Sequence, residues 1–74
     1  MTGSSNSNER LESLADQLDA ISEELAELAV GELSAAVRRG ETKRPAAERS
    51  LTTARRAVEK AAHVLRRGAD QADD

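Results

Sequence analysis

The chain has 74 residues, no cysteine and no aromatic residue, and its 14 acids against 11 bases leave a net charge of −3. That composition excludes a disulfide scaffold and any surface that stacks nucleic-acid bases on aromatic rings. A single small domain is expected, with a core worth only a few kcal/mol. No apolar run approaches the ~18 residues of a membrane span, and no basic-then-apolar start resembles a signal peptide, so the sequence reads as cytoplasmic.

Residues 1–6 are small and polar and read as a disordered lead. Asn6 with Glu9 three positions on fits a capping box, which starts a first helix at about residue 7. Leu11, Leu14, Leu18, Ile21, Leu25 and Leu28 then recur at alternating steps of three and four, the spacing of one stripe on an α-helix. Around Gly31 this frame slips by one position, to Leu33, Ala36 and Val37, and a kink is expected there. Arg38 and Arg39 suit a helix C-terminus, and Gly40 can take the left-handed cap conformation, ending the helix at about residue 39.

The connector is residues 40–44. Pro45, with its fixed φ and no N–H, suits the first turn of a second helix over about 45–67. Ala47, Leu51, Ala54, Val58, Ala61 and Leu65 repeat the stripe spacing. Gly68 reads as the stop, and residues 69–74 as an acidic, frayed tail.

The fold class is all-α, an antiparallel two-helix hairpin over residues 7–68 with a long first helix and a shorter second one. Folding at the connector sets opposite each other residues whose numbers add to about 83 or 84, such as Leu18 with Leu65 and Leu25 with Val58. Leu11 and Leu14 then lie beyond the end of the second helix. The apolar face is wider than a two-stranded seam needs, because Ala15, Ser22, Ala29, Ala57, Ala62 and Val64 flank the stripes. Completion as a four-helix bundle is expected, by dimerisation or by docking on a partner.

Charge is segregated along the chain. Glu9 to Leu33 carries eight acids and one base, whereas Arg38 to Arg67 carries ten bases and three acids. Heptad positions put Glu12, Asp16, Asp19, Glu23 and Glu27 on the outer side of the first helix. Arg49, Arg56, Lys60 and Arg67 take the outer side of the second, and only Glu24 and Arg55 flank the seam. The pattern predicts a slab with one acidic and one basic side.

No catalytic, cofactor-binding or metal-ligating constellation is recognisable. His63 is the sole histidine and stands one turn from Glu59, which predicts an exposed ion pair rather than a metal site needing three or four ligands. The heptad pattern of residues 11–28 resembles the first helix of the all-helical chorismate mutases. That family's arginine positions are occupied here by Ala15 and, approximately, Glu32, so no active-site residue carries over. The exonuclease VII small subunit is similar only in architecture, being another short helical hairpin.

The sequence therefore reads as a non-catalytic protein–protein interaction module, acting as a homodimer or as an accessory subunit of a larger complex. Its expected interface is Leu11, Leu14, Leu18, Ile21, Leu25 and Leu28, and its partner is itself or a helical surface on another protein. No membrane and no small-molecule substrate is expected. The alternative is a small nucleic-acid-binding factor that contacts the phosphate backbone through Arg49, Arg56, Lys60 and Arg67.

Overall fold

The computed structural model describes the backbone of residues 3–72 and the side chains of residues 7–70. Two helices, α1 (Gly3–Arg38) and α2 (Ala46–Ala72), pack against each other as an antiparallel hairpin. The Cα envelope measures 59 × 15 × 11 Å, so the molecule is a narrow slab with two broad faces and two edges.

The reversal between the helices is built as the sequence leads one to expect. Gly40 has φ 77°. The Glu41 N–H donates to the Ala36 carbonyl at 2.9 Å and the Gly40 N–H to the Val37 carbonyl at 3.0 Å. Those two bonds form a Schellman cap, which needs a left-handed residue that glycine supplies without a Cβ clash. The Pro45 carbonyl then accepts the first bond of α2 from the Arg49 N–H at 3.2 Å. Arg44, just before the helix, forks onto Glu48, and Thr52 donates to the same carboxylate at 2.8 Å. Glu48 is only 5 % exposed and sits in the first turn of α2, where the helix dipole also favours a negative charge.

Both helices are longer than the sequence indicates. α1 begins at Gly3, so Asn6 lies inside the helix and does not cap it. Extending a formed helix gains one hydrogen bond for each residue fixed, and residues 3–6 meet no proline or competing fold. α2 continues through Gly68 to Ala72, because a helical glycine costs only about 1 kcal/mol and Leu11 packs beside it. Leu11 is therefore half-buried rather than unpartnered. Met1 and Thr2 of the expected lead, and Asp73 and Asp74 of the expected tail, lie outside the described residues.

The seam between the helices departs most from the sequence reading. It is lined in α1 by Ala15, Ser22, Ala29 and Ala36, all buried and seven residues apart. Across from them in α2 the same column holds Glu48, Arg55, Ala62 and Ala69, of which all but Arg55 are buried. Small side chains let the two backbones approach closely. The leucine stripes flank this seam instead of filling it. The cross-helix pairs fall on either side of the expected register: the numbers of Ser22 and Glu59 add to 81, and those of Asp19 and Arg66 to 85.

The seven-residue column also runs straight through the Gly31 region, where α1 is continuous. The frame slip belongs to the leucine stripe, and Gly31 itself is exposed with open space around its Cα.

Candidate interaction face

Two antiparallel helices are related by a two-fold axis normal to the slab, so equivalent heptad columns of both helices share a broad face. On one side of the seam lie Leu11, Leu18 and Leu25 of α1 with Leu51, Val58 and Leu65 of α2, all half-buried. Beyond them stand Leu14, Ile21 and Leu28, which are 45 %, 45 % and 58 % exposed, and Ala47, Ala54 and Ala61, also exposed. Every expected interface residue is thus on this face. It carries no charge along α1 from Leu11 to Leu28 and none along α2 from Ala47 to Gly68 in these columns.

The opposite broad face is polar and holds the ion pairs that join the two helices. Arg66 reaches from α2 to Asp16 at 2.6 Å, Asp19 at 2.7 Å and Glu12 at 3.6 Å, all on α1. Those acids raise the Arg66 guanidinium's pKa further above its ordinary value, chiefly through the Asp19 and Asp16 hydrogen bonds. Ser22 Oγ donates to Glu59 Oε2 at 3.1 Å, and Arg55 pairs with the same carboxylate at 3.2 Å.

These contacts correct three sequence readings. Asp16 and Asp19 do not stand apart on the outer side but bridge to the other helix. Glu59 is engaged by Ser22 and Arg55 rather than by His63. Glu24 lies on the outer edge of α1, away from the seam.

At the connector end the apolar surface changes sides. Val30, Leu33 and Val37 are spaced by three and four, and they lie exposed on the polar broad face, with Val37 at 73 %. This small patch is where the stripe lands after its slip at Gly31.

Arg49, Arg56, Lys60 and Arg67 are all exposed and, among the described residues, none of the four takes part in an ion pair. They run about 27 Å along the outer side of α2 at 1.5 Å per residue.

Among the described residues the one buried carboxylate, Glu48, is taken up by Arg44 and Thr52. The concavities are open surface depressions, such as the one between Asp19, Ser22, Glu23, Ala26, Arg55 and Glu59. General acid–base chemistry needs a positioned, sheltered group. Among the described residues no three His, Asp or Glu side chains converge as metal ligands, and no helix is long and apolar enough to cross a membrane.

The seam column of Ala15, Ser22, Ala29 and Ala36 is not among the residues expected from the leucine stripe, although a strict seven-residue spacing of small residues marks it in the sequence. No family model, curated protein or solved structure matches this chain.

Proposed function

We infer that this protein is a non-catalytic interaction module, a helical hairpin that docks through one apolar broad face as a homodimer or as an accessory subunit of a larger assembly. The observation that carries this reading is the exposure of Leu14, Ile21 and Leu28 in a charge-free field beside half-buried Leu11, Leu18 and Leu25. Monomeric proteins rarely leave a contiguous apolar surface of more than a few hundred Å² in water. Covering the three exposed side chains recovers about half of the ~1.5–3 kcal/mol that each contributes when fully buried. A four-helix bundle is the architecture that satisfies such a face.

Substitution of the face tests the reading. Leu14→Glu with Leu18→Glu should dissolve the assembly, weakening it on the order of a hundredfold, since each change strands a charge on a surface that must dehydrate. Arg56→Glu, on the polar side, should leave it intact. Light scattering behind size exclusion reads both, and an assembly untouched by the leucine changes overturns the reading.

A second reading is favoured by one observation, the exposed cations Arg49, Arg56, Lys60 and Arg67, which form no ion pair among the described residues. A basic stripe of this length fits a phosphate backbone, as a nucleic-acid-binding accessory factor would. It requires affinity for DNA or RNA that falls steeply with salt and disappears when the four charges are reversed.

A further inference from the structure

We propose that the occupant of the apolar face is a second copy of this chain, turned about a two-fold axis parallel to the helices, so that α1 of each copy lies over α2 of the other. This rests on the docking role argued above and adds what docks and in which orientation.

The relief of the face is the first argument. Its α1 side is a ridge, where Leu14, Ile21 and Leu28 stand at every second turn. Its α2 side is a trough, where the matching column holds Ala47, Ala54, Ala61 and Gly68. Two in-plane two-fold axes can bring such a face onto itself. An axis across the helices sets α1 on α1, so that ridge meets ridge while trough over trough leaves a void, and voids in a packed interface are costly. An axis along the helices seats each ridge in the partner's trough.

Rotation about the long axis leaves every residue at its own height. Leu14 then meets the partner's Gly68, Ile21 the partner's Ala61, and Leu28 the partner's Ala54. Large on small permits close helix approach throughout. Leu11, Leu18, Leu25, Leu51, Val58 and Leu65 of both copies converge between the four helices as the central layers.

Charge is the second, independent argument. Glu24 borders the ridge on the outer edge of α1, one turn from both Ile21 and Leu28, and Lys60 lies on the outer edge of α2, on its polar-face side, at about the height of Glu24. The lengthwise axis puts Glu24 and the partner's Lys60 on the same edge of the dimer, within reach of the long lysine side chain. The crosswise axis puts Glu24 of both copies on one edge, and like-charge juxtaposition disfavours it.

Size is sufficient as well. Residues 11–28 span about 26 Å and two adjacent helices about 20 Å, giving roughly 500 Å² per copy. The pair reaches the ~1,000 Å² that a specific interface requires.

The experiment combines solution mass with cross-linking. The unaltered chain should scatter at twice its 7.9 kDa mass. Ile21→Cys and Ala61→Cys chains, each exposed at the altered position, should form no disulfide alone and a covalent dimer when mixed and mildly oxidised. Efficient cross-linking of the Ile21→Cys chain alone would establish the crosswise axis and overturn the proposal. So would a mass of 7.9 kDa, which leaves docking on a different protein to the leucine substitutions described above. Charge exchange gives a reading that needs no cysteine: Glu24→Lys and Lys60→Glu should each weaken the dimer about threefold, as rim pairs do, and together restore it. Absence of that restoration also counts against the lengthwise axis.

Discussion

Arg66 Nη2 on α2 lies 2.7 Å from Asp19 Oδ2 on α1 and 2.6 Å from Asp16 Oδ1, one guanidinium bridging two turns of the opposite helix. This contact fixes the rotation of each helix about its own axis as well as their register. Arg66→Gln should therefore lower the thermal midpoint by a few degrees at low salt. The difference should shrink in 1 M salt, where the Debye length falls to about 3 Å. Circular dichroism melts at the two salt concentrations check it, and an equal loss in both would assign Arg66 a packing role through its aliphatic stem.

The small-residue seam makes a sharper demand. Ala15 has no exposed surface. Ala15→Leu should destabilise the hairpin by about 1–3 kcal/mol, because the extra carbons have no space between two close backbones. Ala20→Leu, on the exposed outer side of α1, should change stability by under about 0.5 kcal/mol. Denaturant titration of both variants makes the comparison.

The outline of the hairpin was legible, and its internal rotation was not. Gly40 and Pro45 carry conformational constraints that no tertiary contact has to supply, so the turn could be read directly. Heptad spacing likewise gave two helices and their register. Hydrophobicity, however, marks what is finally buried, not which surface buries it. The stripe spacing sets Leu18 opposite Leu65 and Leu25 opposite Val58, yet the fully buried seam is Ala15, Ser22, Ala29 and Ala36, with those larger residues half-buried beside it. The column of Leu11, Leu18 and Leu25 lies only some tens of degrees round the helix from that of Ala15, Ser22 and Ala29, being offset by three or four residues. The choice between them falls to close approach and to cross-helix pairs such as Ser22 with Glu59. Of the candidate site, the six apolar residues share a face in the structure, while the polar contacts of Arg66 and Glu48 left no mark that spacing alone could show.

Gly31 offers a gain. It is helical, exposed and has no atom within 4 Å of a Cβ added there. Gly31→Ala should raise stability by up to about 1 kcal/mol without altering the assembly. A higher melting midpoint with unchanged mass is the expected pair of observations, and no increase would show that α1 uses the glycine's freedom.

Glu48 gives the pH dependence. Hydrogen bonds from Arg44 and then Thr52 hold its carboxyl below the ordinary value of 4.5. A depressed carboxylate contributes stability that is present above that value and lost as pH falls through the lowered one. Glu48→Gln should thus be less stable than the native chain at pH 7, and the gap should narrow as pH falls below about 4.5. Melts at pH 7 and pH 3 measure the gap at both ends, and a constant difference would remove Glu48 ionisation as its source.

The passage of apolar side chains from one broad side to the other at Gly31 has a consequence for how far assembly proceeds. A tile adhesive on a single side stops growing once it has met one other tile. Val30, Leu33 and Val37 put a small second apolar patch on the reverse, confined to the turn end, outside the face through which the proposed dimer closes. Growth past a closed unit would start at that spot, so it is the place to guard with a charged substitution when the protein is handled at high concentration.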